Sequence, residues 1–215
     1  MTPIDTLPDS QNKDPQPNPQ PHVLAVVGNL HPASGTRTVV LRAADIMRSQ
    51  GCSTDVLDLS VESLSMFDAN ASYALPGYPT LKVRVERADA LILGTPDYHG
   101  SMSGALKNFL DHFWREFAGK LFVPVVGSPE KGLTVADQIR TVARQCYAWS
   151  LPYAVTFSDK EDLKDGEVSS DNLKHRLRMM SRDARIYGGL LSGQRREDLA
   201  GNDACFMARY RIPTG

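Results

Sequence analysis

At 215 residues with 41% apolar content and a formal net charge of −1, the chain can bury one sizeable core and carries no field that would draw nucleic acid or an anionic membrane. No apolar stretch approaches the roughly 20 residues of a membrane helix, and none near the start resembles a signal segment, so a cytoplasmic protein is expected by elimination. The three cysteines, Cys52, Cys146 and Cys205, are far apart and fit neither a disulfide framework nor a zinc site.

Residues 1–21 hold six prolines among Gln, Asn, Asp and Lys. Their few apolar side chains cannot offset the cost of ordering, and the segment reads as a disordered tail. Residues 22–27 are an apolar run of the kind a strand buried on both faces shows, closed by Gly28. After a turn-rich loop, Val39, Val40, Ala43, Ile46 and Met47 recur at helical spacing up to Gly51, which takes a left-handed C′ conformation without strain. A second strand is expected over 54–59, an irregular excursion over 60–78 and a helix over 79–87. Residues 90–93 read as the third strand. Met102, Leu106, Phe109, Phe113 and Phe117, widened by Ala105, Leu110 and Trp114, predict one amphipathic helix.

Residues 121–126 read as the fourth strand, with a conflict at Pro124: proline cannot donate to a sheet ladder and implies a bulge, an edge or a shorter strand. Val135, Ile139, Val142, Cys146 and Trp149 mark the next helix, residues 153–157 a fifth strand, 158–170 a charged solvated connection, and Leu173 to Leu191 a last long helix. Residues 192–215 fall outside the pattern as a C-terminal extension. Five alternations of strand and helix predict an α/β domain over 22–191 with a parallel sheet and helices on both faces. Five units without a sixth favour a flavodoxin-like three-layer sandwich, with a five-stranded parallel sheet in the order 2-1-3-4-5.

In such a sheet the loops after strands one, three and four leave together at the carboxyl edge, beside the switch in strand order where ligands bind. The first, residues 28–37, enters a helix whose free amides and dipole favour an anion. Its Ser34 and Thr36 offer hydroxyls suited to a phosphate monoester and equally suited to capping the helix. Neither GxGxxG nor GxxxxGK followed by Ser or Thr occurs. The second loop, 94–101, carries Tyr98 and glycines that admit close backbone approach; the third is 127–132. Together they suit a flat heterocycle bearing one phosphate. From the residues alone, Tyr98 either meets that ring or packs on the following helix, His99 is a loop residue, Lys107 and Asp111 form a helical ion pair, and Trp114 and Phe117 belong to the core or an interface.

The stretch GTPDYHGSMSGALKNFLD over 94–111 resembles the signature of the NAD(P)H-dependent FMN reductase family at Pro96, Tyr98, Gly100, Ser101, Gly104, Leu106, Lys107, Asn108 and Asp111. The first loop is similar to that family's phosphate segment at Gly28, Ser34 and Thr36. It departs at Asn29, where serine is usual, and at His31, where arginine is usual. The resemblance implies that Ser34 and Thr36 hold an FMN phosphate, with Asn29, His31 and Arg37 in the same loop. It places Pro96, Asp97, Tyr98, His99, Gly100 and Ser101 around the isoalloxazine, with Gly127 and Ser128 approaching from the third loop. FMN would carry the redox chemistry, so no catalytic side chain and no metal is expected. NADPH or NADH would deliver hydride, and a small-molecule acceptor (flavin, quinone, azo compound or metal ion) would then take the nicotinamide's place over the ring. A homodimer or homotetramer is implied as well. Two other classes share the bare pattern: a flavodoxin-like electron carrier served by protein redox partners, which the near-neutral charge disfavours, and a flavin-free α/β module.

Overall fold

The computed structural model describes residues 20–211. The expected tail over 1–21 therefore lies outside the described residues, except for Gln20 and Pro21. In chain order the first half is β1 (His22–Val27), α1 (Gly35–Ser49), β2 (Ser53–Asp58), α2 (Tyr78–Arg87), β3 (Ala90–Tyr98), β4 (Ser101–Met102) and α3 (Gly104–Asp111). The second half is β5 (Leu121–Gly127), α4 (Leu133–Gln145), β6 (Trp149–Ser150), β7 (Val155–Phe157), α5 (Asp159–Asp162), β8 (Leu163–Lys164), β9 (Glu167–Val168) and α6 (Asp171–Ala200).

The central sheet runs β2-β1-β3-β5, with β6 and β7 sharing the outer position beside β5, and all these pairings are parallel. This is the expected order with the fifth strand split in two. Successive strand residues face opposite layers. Val23, Ala25, Val27, Ile92 and Val123 pack with Val39, Met47, Leu173 and Leu177 of α1 and α6 on one side. Leu24, Val26, Leu91, Leu93 and Phe122 pack with Val85, Phe109 and Ile139 of α2, α3 and α4 on the other. Among the described residues no helix is long and apolar enough to cross a membrane.

The conflict at Pro124 is resolved in its neighbour. β5 is unbroken and pairs Pro124 with Leu93. Leu121 N–H donates to Asp89 O on the β3 side, whereas Phe122 O accepts from Leu151 on the outer side. Alternation therefore aims the nitrogen of Pro124 outward, into the gap between β6 and β7, where no ladder bond is lost. Three further expectations are corrected. The helix after residue 102 is shorter than its apolar stripe, because the chain leaves α3 at His112 and wraps through a 3-10 turn at Arg115–Phe117. This turn returns Phe117 to the core and leaves Trp114 65% exposed. The segment 158–170 is not plain surface: it folds into α5 and the β8–β9 hairpin, with Asp162 buried. The last helix continues past Leu191 to Ala200, where Gly188, Gly189 and Gly193 dilute the apolar period; Gly188 lies against Ala90 and Pro21.

Lys120, just before β5, is buried, and its ammonium nitrogen donates to Val85 O at 2.5 Å and Glu86 O at 2.8 Å at the end of α2. Burial, aided by the charge of Arg195, lowers its pKa to about 7. Between about 7 and its ordinary value the unfolded chain binds a proton that the folded chain does not, so this group makes stability rise with pH across that window and level off below it. Denaturation midpoints between pH 7 and 9 should therefore show a positive slope of up to about 1.4 kcal/mol per pH unit from this residue. Lys120→Met should lose that slope; an unchanged slope contradicts the assignment.

Candidate functional site

The carboxyl edge is tied together before any ligand is considered. Gly28, at the end of β1, donates its N–H to Gly94 O at 2.8 Å. A Cβ at Gly28 would run into that same oxygen and fall 2.7 Å from Leu106 Cβ, so glycine is required by space. Buried Ser103 joins the first two loops: its hydroxyl donates to Gly28 O at 2.5 Å, its N–H donates to Thr95 Oγ1, and its Oγ accepts from Leu106 N to cap α3.

The second loop is a β-hairpin, which corrects the expectation of an irregular turn starting at Gly94. β3 extends to Tyr98 and pairs antiparallel with β4, Tyr98 facing Ser101. The two turn residues, His99 (φ 57°) and Gly100 (φ 75°), are both left-handed, as a two-residue turn matched to strand twist requires. Asp97 Oδ1 accepts from Gly100 N at 2.8 Å, and its Oδ2 accepts from Ser128 Oγ at 3.0 Å, linking the hairpin to the third loop. From α4, Gln138 Oε1 accepts from Ser101 Oγ and Met102 N, and its Nε2 donates to Gly100 O. The hairpin tip is thereby held from two sides.

In the first loop Ser34 is the N-cap of α1, its Oγ accepting from Arg37 N at 3.2 Å. The hydroxyl proton is left undonated. Thr36, 3% exposed, lines the same cavity as Ser34, and its hydroxyl has no protein partner among the described residues. Arg37 turns away: its Nε donates to Asp58 Oδ2 at 2.7 Å. Burial alone would raise the Asp58 carboxyl, but hydrogen bonds from Ser60 and Arg37 outweigh it and hold the group below the ordinary carboxylate range.

A cavity of about 370 Å³ gathers Asn29, Ser34 and Thr36, then Pro96, Asp97 and Tyr98, then Gly127 and Ser128. Of the other expected site residues, Arg37, His99, Gly100 and Ser101 do not line it, and His31 lines a neighbouring cavity of about 470 Å³ that shares the Asn29 and Tyr98 walls. Sequence reasoning missed Ser158, Asp159 and Lys160, which close the first cavity from the end of β7. The parallel topology was the signal for them, since a fifth strand must also end at this edge. It also missed Gln138, whose role depends on the hairpin. Among the described residues no group of three or more His, Cys, Asp or Glu side chains could hold a metal ion.

Asn108 has a structural duty. Its Oδ1 accepts from Phe67 N at 2.7 Å and its Nδ2 donates to Ser65 O at 2.9 Å, pinning the 60–78 excursion beside the second cavity. Asn108→Ala should destabilise the fold by about 1–3 kcal/mol, because the Phe67 amide loses its partner. It should also speed amide exchange around residues 63–68; unaltered exchange there would contradict the role.

Known proteins resemble the chain over most of this domain. A family model described as NADPH-dependent FMN reductase matches residues 21–162. The NADPH azoreductase of Bacillus sp. (strain OY1-2) is 32% identical over 140 residues, covering 63% of this chain and 75% of that protein. The FMN-dependent NADPH-azoreductase of Staphylococcus haemolyticus (strain JCSC1435) is 27% identical over 167 residues, covering 72% and 87%. Among solved structures, the flavoenzyme NAD(P)H:(acceptor) oxidoreductase from Paracoccus denitrificans superposes with a TM-score of 0.64 at 18% identity, over 81% of this chain and 98% of that one. That likeness shows the flavodoxin-like fold.

Proposed function

The chain belongs to the NADPH-dependent FMN reductase family, and from that premise we propose that the cavity between Ser34, Tyr98 and Ser128 is its FMN site. The protein is an NAD(P)H-dependent flavin oxidoreductase, with FMN as cofactor and NADPH as reductant, acting on small acceptors such as azo compounds. The observation that carries the site assignment is the pair of hydroxyls with unspent protons on the buried residues Ser34 and Thr36, which line the cavity at the amino end of the 15-residue helix α1. A phosphate monoester suits them: its oxygens accept both hydroxyl protons and the free amides of the first turn.

When bound, FMN supplies the electron chemistry. The chain's own residues bind and orient. Ser34 and Thr36 hold the phosphate, while Tyr98 and the rigid hairpin beneath it wall the ring. The Asp97–Ser128 hydrogen bond fixes the spacing of the two loops that flank it. Turnover of an azo dye with NADPH and added FMN tests the activity. The expected result is dye bleaching that depends on both. A protein that exchanges electrons only with a partner protein would instead be a carrier.

Assembly as a homodimer or homotetramer belongs to this proposal. Leu30, Met66 and Tyr98 are large exposed apolar side chains lining the second cavity, and Trp114 is exposed too, which supports a covered face. Gel filtration with light scattering should give at least a dimer; a monomer at micromolar concentration contradicts it. A cytoplasmic location is part of the same reading, supported by the three free cysteines.

A further inference from the structure

We propose that Asp159 and Lys160 form a charge switch at the phosphate end of the cavity: the Asp159 carboxylate occupies the anion seat of α1 in the free protein and yields it to the phosphate, which Lys160 then pairs. The inference rests on the reading of this cavity as the FMN site. Helix α1 has no acidic residue in its first turn, so its amino end lacks an anionic partner from its own element. Asp159, exposed at the start of α5, brings its carboxylate against Gly35, the first residue of α1, without a hydrogen bond to it among the described residues. A Cβ on Gly35 would run into Asp159 Oδ1 and lie 2.6 Å from Cγ and 2.8 Å from Oδ2. The φ of Gly35 is not left-handed, so the backbone does not require glycine here; a larger side chain would displace the Asp159 carboxylate from this position.

The seat is built for more than a carboxylate. Ser34 and Thr36, residues more than nine-tenths buried, line the same cavity, and their hydroxyls have no acceptor among the described residues. A carboxylate carries one charge on two oxygens; a phosphate monoester carries up to two charges on three, and uses donors that Asp159 leaves idle. Lys160 follows in the chain, lines the same cavity and is exposed. Among the described residues neither side chain is in an ion pair. Both sit on a single turn, Asp159–Asp162, anchored at its far end, where Asp162 Oδ2 accepts from Ser158 N at 2.9 Å. Asp159 therefore weakens binding of phosphorylated flavin specifically, and Lys160 strengthens it.

Fluorescence titration of wild type, Asp159→Asn and Lys160→Gln with FMN and with riboflavin, which lacks the phosphate, tests this. Asp159→Asn should tighten FMN about three- to tenfold and Lys160→Gln should weaken it by a similar factor. Riboflavin affinity should be the same in all three. FMN affinity unchanged or weakened in Asp159→Asn, or riboflavin shifting in parallel with FMN, would overturn the switch while leaving the FMN site standing. Wild type that binds riboflavin and FMN equally would overturn the phosphate seat itself.

Discussion

Replacing Ser34 and Thr36 together by alanine weakens FMN binding by about 100-fold or more. In the proposed site each hydroxyl would donate to a charged phosphate oxygen, a bond worth about 1.5–3 kcal/mol, and every 1.4 kcal/mol is a factor of about ten in affinity. Ser34 also caps α1, so its loss costs the fold about 1 kcal/mol independently of ligand. Thr36→Val separates the two effects, since it keeps the cap and removes only the cavity hydroxyl. The single variant should lose about tenfold or more toward FMN and nothing toward riboflavin. FMN affinity that survives the double replacement would refute the phosphate assignment.

Phe109→Ala should destabilise the protein by about 3–5 kcal/mol, the cost of emptying an aromatic site in a close-packed core. Phe109 is fully buried, with ring centroids 5.6 Å from Phe113 and 6.2 Å from Phe117, and Phe117 lies edge-on to Phe122 of β5. This cluster seats α3 on the sheet, and α3 carries Ser103 at its cap. The loss should therefore appear both in the denaturant midpoint and in weaker FMN retention. A change below about 1 kcal/mol would contradict the packing.

The sheet order was readable because the central strands β1, β3 and β5 are buried on both faces and show as continuous apolar runs, and four intervening helical periods separate the strands. The hairpin at 95–102 was not, since Pro96, Asp97, His99 and Gly100 carry turn propensity; the extension of β3 to Tyr98 comes from tertiary pairing and from the side chains of Asp97 and Gln138. Periodicity likewise overran the end of α3. Phe113 and Phe117 keep the apolar spacing although the chain has left the helix: Phe113 directly follows the cap residue His112, a 3-10 turn brings Phe117 back, and both reach the same core. Within the site, Ser34 and Thr36 could be singled out from the helix they precede, and Pro96 to Tyr98 from the family signature. Arg37 could not be excluded without its distant partner Asp58. Asp159 and Lys160 lie in a segment whose charge reads as surface, and the signal for them was the topology, which carries the end of the fifth strand to this edge and sets Asp159 against Gly35.

Anaerobic mixing of the FMN-loaded protein with NADPH tests the central claim most directly. The account predicts rapid bleaching of the flavin absorbance and its return when an azo dye is added. Bound FMN that NADPH leaves oxidised, or no FMN bound at micromolar concentration, would contradict it.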